Sequence, residues 1–167
     1  AWTASTDFRN EMSFSEESLE RTADAYRRIR NTIRFLMGNL NDFDFQKDKI
    51  SGDRYSELDK WIVLKTKDLQ TEVIKDFENY DIHFAFQKIL NFCTNELGGF
   101  YLDIIKDRLY TSKRDGSARR SAQSAMHQIY TSLLTLVAPI LSFTAEESYL
   151  EKNGNGNSIF LLSLIHI

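Results

Sequence analysis

Residues 15–40, SEESLERTADAYRRIRNTIRFLMGNL, decide the fold class. Leu19, Ala23, Tyr26, Ile29, Ile33, Leu36, Met37 and Leu40 recur there at intervals of three and four, the spacing that gathers apolar side chains on one face of an α-helix. Ser13, with Glu16 three residues on, predicts a capping box at the helix start. Upstream, AWTASTDFRNEMSF has no sustained period and reads as a connector.

The same period returns downstream. NLNDFDFQKDKISGD is rich in Asn and Asp and reads as a loop. A second helix follows, with Leu58, Trp61, Ile62, Leu69, Val73, Ile74 and Phe77 at helical spacing and Asp53 as its candidate cap. After a short break, IHFAFQKILNFCTNELGGFYLDIIKDRLYTS predicts a long third helix. Gly98 and Gly99 sit inside it, where each weakens an ordinary helix by about 0.5 to 1 kcal/mol and marks either a kink or a close backbone approach. KRDG is a turn. SARRSAQSAMHQIYTSLLTLVA is a fourth helix, carried by Ala122, Ala125, Met126, Ile129, Leu133, Leu136 and Val137 and stopped by Pro139. Thr144 and Glu147 predict a capping box for a short last helix ending near Lys152, and SIFLLSLIHI reads either as a strand-like tail or as a segment stripped of its partner. The expectation is an all-α, antiparallel four-helix-bundle-like domain over residues 15–152, with a connector at 1–14 and a C-terminal tail at 153–167.

Composition agrees with that reading. The 167 residues are 42% hydrophobic with 13% aromatic, enough to close one core, and contain one proline and seven glycines. No stretch approaches the ~20 apolar residues of a membrane span, and no leader-like segment opens the sequence, so a cytoplasmic protein without membrane partners is expected. The single cysteine, Cys93, excludes an internal disulfide and a cysteine zinc cluster and reads as core.

Candidate chemistry is sparse. His83, His127 and His166 are far apart and lack di-iron spacing, and neither a phosphate loop nor a catalytic triad is legible, so no catalytic, metal or cofactor residue is assigned. Acids outnumber bases 24 to 21, so any nucleic-acid contact must be local. Arg27, Arg30 and Arg34 fall on one strip of the first helix with Asn31 beside them. Guanidinium groups so spaced suit a row of phosphates, but they equally suit covering a core stripe with their methylenes while pairing with acids. A second basic group, Lys106, Arg108, Lys113, Arg114, Arg119 and Arg120, gathers around the turn before the fourth helix. Tyr101 and Tyr110 lie nearby, and an exposed aromatic among cations can stack on an unpaired base. The bland reading of this group is a solvated helix end whose cations suit the dipole.

Several longer stretches carry a resemblance. ASTDFRNEMSFSEE (4–17) and RTADAYRRIRNTIRFLMGNLNDF (21–43) closely resemble the segment that follows the catalytic domain in isoleucyl-tRNA synthetases. FYLDIIKDRLYT (100–111), ARRSAQSAMHQIY (118–130) and VAPILSFTAEE (137–147) resemble later helices of the same domain in the same order. The resemblance implies the helical anticodon-binding domain of a class I aminoacyl-tRNA synthetase, part of a larger ATP- and magnesium-dependent ligase whose partners are tRNA(Ile) and the rest of the synthetase polypeptide. It also implies an RNA-backbone face at Arg27, Arg30, Asn31 and Arg34, and an anticodon-side face at Lys106, Arg108, Arg119, Arg120 and Gln123. Neither HIGH-like nor KMSKS-like motifs occur, so no adenylation is expected of this segment. Nor does the cysteine-rich zinc module that follows in many relatives. The competing readings are the matching domain of a valine, leucine or methionine enzyme, and a helical module that binds another protein through an apolar groove.

Overall fold

A computed structural model describes residues 1–11, 14–154 and 156–162. Its helices are α1 (Glu16–Gly38), α2 (Phe45–Asp48), α3 (Glu57–Glu78), α4 (Ile82–Asn91), α5 (Leu102–Thr111), α6 (Ser117–Val137) and α7 (Ser142–Asn153), with a π-helical segment, Phe92–Tyr101, joining α4 to α5. There is no strand among the described residues. The expected all-α bundle is present: α1, α3, the α4–π–α5 rod and α6 are its four long members.

α6 is the central helix. Every residue from Arg120 to Met126 and from Ser132 to Ala138 is buried, because α1, α2, α3, α4, α5 and α7 all pack on it. Polar residues on so enclosed a helix must find partners inside the protein.

Several caps differ from expectation. Ser13 lies outside the described residues, and Ser15 caps α1 in a reciprocal box with Ser18. α3 starts at Ser56, whose hydroxyl accepts from the Asp59 amide, while Asp53 sits in a 3-10 turn, Gly52–Arg54. The expected loop therefore contains both that turn and α2. The box predicted at Thr144 and Glu147 does not form. α7 begins at Ser142 without a side-chain cap, and the Thr144 hydroxyl lies 3.1 Å from that of Tyr26. In the tail, Ile159–Leu161 is a 3-10 turn rather than a strand, and residues 163–167, with His166, lie outside the described part.

The glycine pair lies in a wider stretch of helix, and no backbone from another element approaches it. Within Phe92–Tyr101, a Cβ on Gly98 would lie 3.0 Å from the Cys93 carbonyl oxygen, and one on Gly99 would lie 3.2 Å from that of Thr94, each five residues back. The spacing of the core explains the π geometry. Ala85, Ile89, Cys93, Leu97, Tyr101, Ile105 and Leu109 are all buried and all four residues apart. In a pure α-helix that spacing drifts about 40° per step. A π segment turns less per residue and winds the drift back, so one face stays on the core from α4 to α5.

α3 turns into α4 through the opposite compromise. The Asp81 and Tyr80 amides donate to the carbonyls of Asp76 and Phe77, forming a Schellman closure with Tyr80 at φ 60, where glycine is usual. Tyr80→Gly is therefore expected to raise stability by about 1 kcal/mol, whereas Gly98→Ala, which in an ordinary helix would stabilise, is expected to lower it by a similar amount. Urea unfolding of the two variants checks the contrast.

Candidate nucleic-acid interface

Asp59 sits where the apolar register of α3 calls for a hydrophobic residue. The buried face of α3 runs Asp59, Ile62, Thr66, Leu69, Val73, Asp76, rotated from the Leu58–Trp61 stripe expected from the sequence. The Asp59 side chain is fully buried. Arg108 grips its carboxylate with two parallel bonds, Nη2 to Oδ1 at 2.8 Å and Nη1 to Oδ2 at 2.9 Å. Tyr101 donates to Oδ1 at 2.8 Å; Ser121 and Ser56 donate to Oδ2 at 2.6 and 2.7 Å. Burial pushes this carboxyl up, but the bonds from Arg108, Ser121, Ser56 and Tyr101 outweigh it and hold the group below its ordinary value. Three elements thus meet on one charge: the start of α3, the π–α5 rod and α6.

Asp42, in the loop after α1, organises the neighbouring end of α6. Arg119 forks onto it at 2.6 and 3.0 Å, Gln123 donates at 2.8 Å, and Arg114 adds a longer contact at 3.3 Å. Bonding to Arg119, ahead of an opposing effect of burial, holds the Asp42 carboxyl well below the usual range. Arg120 is buried and donates to the Asp42 carbonyl, to Gln123 and to Asp115, with Asp48 at 3.4 Å. Gln123 also donates to the Asn39 carbonyl at 3.0 Å.

Of the sequence-predicted anticodon-side residues, then, Arg108, Arg119, Arg120 and Gln123 are engaged inside the fold and brace α6 against α3, α5 and the loop after α1. Lys106 is exposed and paired only with exposed Asp103, a solvent-screened contact that holds little of the fold together. Tyr101 is a core residue, its hydroxyl raised well above its ordinary pKa by burial and by Asp59. Tyr110, Lys113 and Arg114 are exposed, so the open chemistry at this end is Lys106, Tyr110, Lys113 and Arg114.

The α1 strip is placed differently. Arg27, Asn31 and Arg34 face solvent and Arg30 is half-buried. Arg27 pairs with exposed Asp24 at 3.0 Å, while Arg28, Arg30 and Arg34 have no carboxylate within ion-pair distance among the described residues. Acids Glu16, Glu17, Glu20 and Asp24 occupy only the first part of the helix, so residues 27–38 carry positive charge alone. Cations toward a helix C-terminus also suit the dipole. The two remaining polar candidates are structural. His127 stacks on Phe45 at 4.3 Å, with its pKa lowered to about 4 by burial, then by Lys152 and Lys49. Cys93 is buried, its thiol pushed up to about 12 chiefly by burial.

Among the described residues no cluster of His, Cys, Asp or Glu could hold a metal ion, and no helix is long and apolar enough to cross a membrane. The fold and site define a class: an all-α domain with polar inner braces and one open basic helix. Comparison with known proteins makes it specific. The family described as the anticodon-binding domain of tRNA ligase matches residues 59–165, and the chain belongs to that family. It is 52% identical over 163 residues to the isoleucine–tRNA ligase of Ruthia magnifica subsp. Calyptogena magnifica, covering 97% of this chain and 18% of that protein. The isoleucine–tRNA ligase of Psychromonas ingrahamii is 54% identical over 146 residues, covering 87% of this chain and 16% of that protein. That of Legionella pneumophila is 52% identical over 161 residues, covering 96% and 17%. The chain thus spans less than a fifth of the length of these relatives.

Arg108→Met leaves Asp59 buried without its cation, and a loss of about 3 kcal/mol at pH 7 is expected. Because the folded-state pKa of Asp59 is depressed, its contribution is fully present above about pH 4 and is lost as pH falls through the folded value. Urea unfolding of both proteins at pH 7 and near pH 2 is expected to show the gap narrowing in acid, with little change between pH 7 and pH 5.

Proposed function

We propose that this chain is the tRNA-binding helical domain of an isoleucine–tRNA ligase, and that the C-terminal half of α1 lies against the RNA backbone. One observation carries this reading: Arg28, Arg30 and Arg34 stand without ion-pair partners among the described residues, in a protein where Arg108, Arg119 and Arg120 are all engaged. Supporting it are the family membership and the names of the relatives. Phosphates would be gripped by Arg27, Arg30 and Arg34, with Asn31 positioned to reach a phosphate or sugar. The anticodon-side face reduces to Lys106 with Tyr110, Lys113 and Arg114, where an exposed aromatic stands among cations. The partners are tRNA(Ile) and the remainder of the synthetase. In this reading ATP and magnesium, and zinc where a zinc module exists, act in parts of the enzyme beyond these residues, in the cytoplasm.

Changing Arg27, Arg30 and Arg34 together to Ala is expected to weaken binding of a tRNA(Ile) transcript by roughly tenfold or more near 0.1 M salt, and to flatten the salt dependence by about one unit of slope per lost phosphate contact. Unfolding free energy should move by no more than about 0.5 kcal/mol, because the side chains are largely exposed. Filter binding across a salt series decides it. Unchanged affinity and slope would remove α1 from the interface, and retention of a protein partner with no RNA bound at low salt would favour the interaction-module reading instead.

A further inference from the structure

α7 carries a second row of charges that faces the α1 arginines. Arg30, Arg34 and Met37 of α1 and Glu147, Ser148 and Glu151 of α7 line one cleft of about 70 Å³. Arg30 and Arg34 are one turn apart on their helix, as are Glu147 and Glu151 on theirs, so each row repeats at about 6 Å. Opposite charges that share a cleft are ordinarily expected to close into ion pairs, yet among the described residues neither arginine approaches either glutamate within ion-pair distance. α7 is tethered to both α6 and α1. Tyr130 donates to the Ser148 carbonyl at 2.6 Å, and the Tyr26 and Thr144 hydroxyls meet at 3.1 Å on the adjoining turn. The floor is apolar, through the half-buried Met37.

A cleft with two donors on one wall and two charged acceptors on the other does not suit a bare phosphate row, because the glutamates repel it. It suits a strand that presents anions on one edge and hydroxyl donors on the other, with a repeat close to one helical turn. A ribose–phosphate chain has that form: phosphate oxygens accept from guanidinium groups, and each 2′-hydroxyl can donate to a carboxylate. The 2′-hydroxyl is also the group by which proteins distinguish RNA from DNA. Resting on the reading of α1 as the backbone face, we propose that Glu147 and Glu151 are 2′-hydroxyl acceptors, and that the α1–α7 cleft is a sugar-edge site selecting ribose over sugars lacking that donor. The glutamates then weaken binding to polyanions in general and restore it for RNA alone, which is a specificity device.

The test compares one RNA stem-loop with its 2′-fluoro counterpart, which keeps the A-form sugar pucker and lacks the hydroxyl donor, bound to the chain as it stands. The wild-type protein is expected to favour the 2′-hydroxyl form by about tenfold, the effect of one or two hydrogen bonds to charged acceptors. Glu147→Ala with Glu151→Ala should bring the ratio close to one by holding or raising affinity for the 2′-fluoro form. The Gln pair, which keeps a carbonyl acceptor, should preserve much of the preference. A wild-type ratio near one, or an Ala pair that tightens both ligands equally, overturns the proposal while leaving RNA binding by α1 intact. Failure of the wild-type chain to bind either stem-loop at low salt removes both.

Discussion

The bidentate pairing of Arg108 with the buried Asp59 carboxylate is the constraint on which the bundle depends. A carboxylate in the interior is costly unless every lone pair is met. Here the demand is met from three directions, by Arg108 and Tyr101 on the π–α5 rod, Ser121 on α6 and Ser56 at the α3 cap. Tyr101 and Arg108 lie on opposite sides of the π–α5 junction, seven residues apart, and both reach one carboxylate. The π segment and the buried charge therefore explain each other. Restoring α-helical winding between Cys93 and Tyr101 would turn α5 relative to α4 and carry both donors together away from Asp59.

The same logic divides the basic residues into two populations. Arginines of α5 and α6 lie beside the buried Asp59 and the half-buried Asp42 and serve as internal braces, their bonds to these acids joining α6 to the rest of the bundle. Those in the second half of α1 lie beyond the reach of any acid on their own helix apart from Asp24 and keep their charge toward solvent. An overall acidic protein can therefore expose a basic strip without being basic. That strip borders α7, whose glutamates limit what can lie against it.

Much of the fold is legible in the sequence, because intervals of three and four place α1, α3 and α6 directly. The spacing of exactly four from Ala85 to Leu109 also announces the π segment, although a search for helical period alone passes over it, since four is an acceptable helical interval in any single step. Asp59 was visible in the same sense, as an acid in a core register. The motifs at Asp53 and Thr144 start no helix for a common reason: a capping motif describes local chemistry, while the start of a helix is set by where its first turn can pack. The candidate site was only half legible. Spacing cannot say whether an arginine meets a carboxylate from a distant element, and Asp42 reaches Arg119 from 77 residues away. That is why Arg119, Arg120 and Gln123 read as surface while they are inner braces.

The partition of the arginines is measured most directly by NMR of their Nε–Hε groups as an RNA stem-loop is titrated into the chain. The account predicts slowly exchanging, rigid signals for Arg108 and Arg119 that stay in place, and mobile signals for Arg28, Arg30 and Arg34 that shift together as RNA binds. Rigid, RNA-insensitive signals from α1, with the shifts confined to α5 and α6, would contradict it.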